Sequence, residues 1–131
     1  MTLLDEARIA RERAYAPYSR FKVGAAVRGA SGAAYAGCTV ENIAAPEGIC
    51  AEAGAIAALI AAGETRLVEV AVITDAEAPI PPCGGCRQKL AEFGAPDTPV
   101  LLATVAGDML ATTIGALLPG RAEVAQAAGL G

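Results

Sequence analysis

Apolar residues recur along this chain with two different periods, one helical and one of strand type. Near the N-terminus Leu3, Leu4, Ala7, Ile9 and Ala10 mark one helical face, with Arg8, Arg11 and Arg13 interleaved. Thr2 followed by Asp5 forms a capping signature ahead of them, so the pattern predicts an amphipathic helix to about Tyr15, ended by Ala16-Pro17-Tyr18-Ser19. Val23 to Val27 and Ala34 to Val40 are short and rich in small or β-compatible residues on either side of Ser31-Gly32, as in a hairpin. A loop from Glu41 to Gly48 follows. From Cys50 to Ala62 the chain is Ala-rich and apolar on nearly every face, which predicts a buried helix stopped at Gly63. Leu67 to Thr74 reads as a buried strand, Pro79-Ile80-Pro81-Pro82 as a rigid loop, and Gly84 to Phe93 as a second helix of that region. Pro99 to Val105 and Met109 to Thr113 read as strands joined by a turn at Gly107-Asp108.

Strands that alternate with helices after an opening hairpin predict an α/β fold, a three-layer α-β-α sandwich with a mixed sheet of about five strands. The 131 residues suit one domain and are too few for two, and neither a repeat nor a linker interrupts them, so residues 1–131 are read as a single domain. The Ala/Gly-rich tail after about residue 120 is expected to be mobile.

Composition narrows the function. Fourteen acidic against ten basic residues leave a net charge of −4, with no excess of cation to hold a phosphate backbone, so nucleic acid is not an expected partner. The apolar share of 54% exceeds that of an ordinary globular chain and points to apolar surface covered by further copies of the protein. No apolar run approaches the roughly 18 residues that span a bilayer, so no membrane is expected as a partner. Acidic Asp5 and Glu6 stand where a secretory signal would be basic and then apolar, and a cytoplasmic location is expected. In that compartment the four cysteines are read as reduced, metal-binding or catalytic rather than as disulfides.

Their spacing carries the chemistry. Cys83 and Cys86 form a Cys-x-x-Cys step opening a helix, a spacing that serves metal sites and redox pairs alike. Cys50 opens another helix, and Glu52 follows it among Ala51, Ala53, Gly54 and Ala55, with no polar face to belong to. Three cysteine ligands leave one position of a tetrahedral Zn²⁺ open, as in catalytic sites, and a neighbouring carboxylate can move the proton of a water activated there. The expected cofactor is one Zn²⁺ per chain on Cys50, Cys83 and Cys86, with Glu52 catalytic. Cys38 is read as a packing residue, because a fourth thiolate would close the open position.

Cys50-Ala51-Glu52 and Pro82-Cys83-Gly84-Gly85-Cys86-Arg87-Gln88 together resemble the zinc-binding pattern of the small homotetrameric cytidine deaminases. The likeness extends to Ala14 through Ala26, to Gly37 through Asn42 and to Leu117-Leu118-Pro119-Gly120, and covers the chain roughly from Glu6 to Gly120. It implies a deaminase-like fold, a homotetramer and a nucleoside substrate. It also implies that Phe21 packs against the pyrimidine, Glu41 and Thr39 meet the ribose, and the Ala51 backbone orients the base. The implied reaction is hydrolysis at C4 of cytidine or deoxycytidine with Glu52 as proton shuttle, a step of pyrimidine salvage.

Three positions depart from the pattern: Thr39 stands for the usual Asn, Ala45 for a common aromatic, and Ala53 for the Arg after the catalytic Glu. The loss of that Arg leaves the negative charge of three thiolates to be offset elsewhere, and Arg87 together with the two helix N-termini, donating toward the sulfurs, is expected to compensate in part. Blasticidin-type deaminases also lack this Arg, so an aminohydrolase of a modified nucleoside or other aminated heterocycle stands as the alternative. A non-catalytic zinc protein of the same fold and a redox protein using Cys83 and Cys86 are the remaining readings.

Overall fold

In the computed structural model, residues 1–121 are described; the tail expected to be mobile lies outside them. The chain runs α1 (Leu3–Glu12), β1 (Gly24–Gly29), β2 (Ala34–Cys38), a 3-10 turn (Ala45–Glu47), α2 (Ala51–Ala61), β3 (Leu67–Thr74), α3 (Gly84–Phe93), β4 (Pro99–Thr104), β5 (Met109–Thr113) and a short α4 (Ile114–Leu117). The capping signature forms: Asp5 N–H donates to Thr2 Oγ1 and Thr2 N–H to Asp5 Oδ2. α1 ends at Glu12 rather than at Tyr15, because Tyr15 pairs with Val40 beside the sheet. β1 and β2 form the expected hairpin through Gly32, whose φ of 94° suits glycine alone, and Gly63 at φ 92° stops α2.

The five strands lie in the order β2-β1-β3-β4-β5, with β3 and β4 parallel and the other neighbours antiparallel. Alternation divides the apolar residues between two faces. Ala25, Val27, Val70, Val72, Val100 and Leu102 pack against Ala51, Ala55, Ile56 and Leu59 of α2 and Leu90 and Ala91 of α3. Ala26, Ala71, Ile73 and Ala103 pack against Leu3 and Ala7 of α1. A strand buried on both faces reads as a continuous apolar run, which is why β3 is Leu67–Thr74 with hardly a polar break. The sandwich therefore has three layers, with α2 and α3 on one side and α1 on the other. α1 lies against β1, β2 and β3, while Leu101 and Met109 on the same face of β4 and β5 are half-buried and exposed.

Two close approaches fix the helices. A β-carbon on Gly24 would run into the Ala7 carbonyl of α1, and one on Gly37 into the α2 backbone at Ala51, Gly54 and Ala55. Glycine at 37 thus allows α2 to lie directly on β2, and α2 brings Cys50 and Glu52 to the site.

Candidate metal centre and active site

Cys50 is the N-cap of α2 and Cys83 the N-cap of α3, each in extended backbone, so two helix N-termini converge on one spot. The positive ends of both helix dipoles favour thiolates there. The Sγ atoms of Cys50, Cys83 and Cys86 lie within 4.8 Å of one another, and those of Cys50 and Cys83 are 4.0 Å apart. Zn–S bonds of about 2.3 Å in a tetrahedron separate sulfurs by about 3.8 Å, so the triad fits zinc in both donor chemistry and spacing. Cys86 is buried at 1% exposure, whereas Cys50 and Cys83 face an open cavity of roughly 800 Å³. Hydrogen bonding from the Cys86 backbone N–H draws the Cys83 thiol below its ordinary pKa. Burial pushes Cys86 and Cys50 up, and the Glu52 charge adds to the rise at both.

Cys38 does not belong to this cluster. It pairs with Gly24, whose missing side chain would point at α1, so its thiol projects on the face opposite α2. The packing reading of Cys38 fits that placement.

Glu52 lines the cavity from the first turn of α2 and is only 5% exposed. Burial raises its pKa above the ordinary carboxylate value, while its own backbone N–H and the charge of Lys89 act the other way. A carboxyl with raised pKa beside a metal triad is equipped to accept a proton and release it again.

The cavity also brings together Phe21, Thr39, Glu41 and Ala51, residues scattered over the N-terminal loop, the end of β2 and the start of α2. Glu41 accepts hydrogen bonds from Tyr18 N–H at 2.9 Å and Ser19 N–H at 3.1 Å, and a very short one from the Ser19 hydroxyl. These bonds, led by the hydroxyl, hold its pKa below the usual range. They pin the turn that precedes Phe21, in which Arg20 sits at a left-handed φ of 60°. A carboxylate has about four lone-pair directions, so Glu41 keeps room for one further hydroxyl donor.

The Thr39 hydroxyl lines the cavity, accepts from Val23 N–H at 3.1 Å and lies 3.3 Å from the Val23 carbonyl, so it ties down the residue that leads into β1 and keeps one lone pair. One expectation needs correction. Arg87 does not donate toward the sulfurs: its Nε is 2.8 Å from the Pro82 carbonyl and a terminal nitrogen 3.2 Å from that of Leu117, which anchors the proline loop before Cys83.

Sequence reasoning missed the far wall of the cavity, made by Val72, Thr74, Ile80 and Pro81. The signal was available in β3, since ligands of open α/β sheets collect at the carboxyl ends of parallel strands, where Thr74 sits.

The arrangement has relatives. Residues 1–102 match the family model described as the cytidine and deoxycytidylate deaminase zinc-binding region. A cytidine deaminase of Sporosarcina psychrophila is 44% identical over 118 residues, covering 90% of this chain and 87% of that protein. One from Halalkalibacterium halodurans is 43% identical over 118 residues, covering 90% of this chain and 89% of that protein. The crystal structure of a cytidine deaminase from Burkholderia pseudomallei superposes with a TM-score of 0.88 at 42% identity, covering 93% of this chain and all of that one.

Proposed function

Since the chain belongs to the cytidine and deoxycytidylate deaminase family, we propose that it hydrolyses the exocyclic amino group of cytidine or deoxycytidine, yielding uridine or deoxyuridine and ammonia. The observation that carries the reading is Glu52, a buried carboxyl of raised pKa in the wall of the cavity onto which the cysteine triad opens.

Zinc held by Cys50, Cys83 and Cys86 would act as the Lewis acid that makes a water nucleophilic near neutral pH. Glu52 takes a proton from the attacking water and delivers it to N3 of the ring. Glu52 then takes the second proton from the new C4 hydroxyl and passes it to the amine; the C4 carbonyl forms as the C4–N bond breaks, and ammonia leaves. Phe21 packs against the pyrimidine, the remaining lone pair of Glu41 accepts a sugar hydroxyl, and the Ala51 backbone orients the base. Thr39 acts on the sugar side by holding β1, and Arg87 by holding the proline loop.

A second reading, an aminohydrolase of a larger or modified nucleoside, is favoured by Ala45. It lines the cavity with a methyl group where an aromatic is common, and the Thr39 hydroxyl is already paired. The whole chain works as one domain with one zinc, in pyrimidine salvage in the cytoplasm. Apolar side chains exposed around the cavity support assembly into a homotetramer. No described helix is long and apolar enough to cross a membrane.

Ammonia release by zinc-loaded protein from cytidine, deoxycytidine, cytosine, blasticidin S and modified cytosine nucleosides tests both readings, with Glu52→Gln as the blank. Cytidine or deoxycytidine as the best substrate supports the first; silence on both with turnover elsewhere selects the second.

A further inference from the structure

Arg11 stands in the last turn of α1, and its side chain is only 11% exposed. Its stem passes over the start of β1, where a β-carbon on Gly24 would stand 2.7 Å from Arg11 Cβ. The guanidinium pairs with two carboxylates: Nη1 is 2.9 Å from Glu12 Oε1 and Nη2 is 3.2 Å from Asp75 Oδ2, while Nε is buried with no acceptor. A cation drawn so far out of water costs free energy unless acids offset it, so these two hold the guanidinium in place. Glu12 is a neighbour on the same helix, whereas Asp75 belongs to a distant part of the chain.

Asp75 follows Thr74, the last residue of β3, and opens the stretch 75–82 that carries the chain to Cys83. Ile80, Pro81 and Pro82 of that stretch line the cavity. It has few ties of its own. Prolines at 79, 81 and 82 have no N–H to donate, Ala76 N–H goes to Thr74 Oγ1, and the Pro82 carbonyl accepts from Arg87 Nε. Among the described residues no hydrogen bond holds residues 77–81. A proline-rich strap of this kind is stiff, so its course over the cavity is set where its ends are fixed. Arg87 fixes the end at Cys83, and Arg11 fixes the end at β3. Arg11 also stands on the element that leads into the opposite wall, since α1 runs on to Tyr18, Ser19 and Phe21, where Glu41 pins the turn.

On the deaminase reading above, on which this rests, we infer that Arg11 and Asp75 are positioning residues for substrate binding. Their ion pair ties α1, which leads into the Phe21 wall, to the strap that forms the wall of Ile80 and Pro81, and so sets the width of the cavity between them. Neither residue lines the cavity itself. Asp75 is half-exposed, and an ion pair in contact with water adds little to the stability of a fold, so the pair acts through where it holds the strap. A wall that contacts the substrate equally before and during the reaction governs KM and leaves kcat to Glu52 on α2.

The test uses Asp75→Asn and Asp75→Ala, which break the pair from its half-exposed side, with Arg11→Lys to keep the charge and Glu12→Gln to remove only the helix neighbour. In both Asp75 variants KM for the best nucleoside of the panel above rises about 5- to 10-fold, with kcat within about 2-fold and one zinc retained per chain. Their melting temperature falls by no more than about 4 °C. Arg11→Lys stays within about 3-fold of the wild-type KM, and Glu12→Gln leaves it unchanged. The strap is also read without substrate: cleavage after Glu77 by a glutamate-specific protease speeds up about 5-fold or more in the Asp75 variants, while the other Glu sites are cut at the wild-type rate. Wild-type KM in the Asp75 variants overturns the inference, whether or not cleavage is faster. Wild-type protein that turns over nothing in the panel defeats the deaminase reading instead, and cleavage then decides alone: faster cutting after Glu77 upholds Arg11 as the anchor of the strap, and an unchanged rate removes it.

Discussion

At the residue scale, what separates chemistry from architecture is where each polar atom is already spent. Glu52 has raised proton affinity and a cavity beside it, so replacing it removes proton transfer without touching a ligand. Glu52→Gln is expected to bind one zinc per chain and to lose about 10²- to 10⁴-fold in kcat, measured by ammonia release against metal content. A Gln variant with full turnover would end the assignment. Thr39 is the opposite case, because its hydroxyl serves Val23. Thr39→Val leaves the Val23 N–H without that partner and is expected to cost about 1–2 kcal/mol, read as a fall of several degrees in melting temperature, with KM for cytidine little changed. A large rise in KM at unchanged melting temperature would return Thr39 to the sugar. The sequence made the cysteine triad and the neighbouring Glu52 legible as candidates, since Cys-x-x-Cys and Cys-x-Glu each gather their side chains in the first turn of a helix, α3 and α2 respectively. It did not make legible the partners of Thr39 and Arg87, which are backbone atoms of segments far along the chain.

At the scale of elements, local signals served well where a cap or a glycine stated the boundary. Thr2 starts α1, Gly63 stops α2, and β3, α3 and β5 occupy the predicted residues. The misses were elements too short to carry a period, the 3-10 turn at Ala45–Glu47 and α4 at Ile114–Leu117. The seat of α2 on the sheet is likewise absent from local pattern, because it depends on Gly37 of a different strand. A β-carbon there would stand 2.7 Å from the Gly54 carbonyl carbon, and rigid helix backbone cannot yield as a side chain would. Gly37→Ala is therefore expected to destabilise by about 1–3 kcal/mol and, by displacing α2, to weaken zinc binding through Cys50. Gly63→Ala supplies the comparison: it strains a left-handed residue at the far end of α2, where the β-carbon would meet nothing, and should lower the melting temperature with zinc affinity preserved. Equal zinc affinity in both variants would mean that the seat of α2 does not govern the metal site.

At the scale of the molecule, one chain leaves its reaction chamber open. Tyr18, Val40, Ile43, Ile49 and Ile80 all line the cavity and all are exposed, Ile43 at 86%, as are the thiols of Cys50 and Cys83. Apolar side chains grouped at the mouth of a site gain nothing from water, and the electrostatic work of Glu52 is stronger once water is excluded. Neighbouring copies of the chain laid over these mouths would serve both needs. The wild-type protein is expected to sediment as four chains of 13.0 kDa. Ile43→Glu places a charge where apolar contact is required, so it should shift sedimentation to smaller species and lower kcat/KM by about 10-fold or more at equal zinc content. The monomer's own core is not at stake, because Ile43 is nearly fully exposed within one chain and its replacement should leave the circular dichroism of the subunit unchanged. A wild-type protein that sediments as one chain with full activity would show instead that the open cavity is the working form, and that the apolar rim is there to meet the substrate.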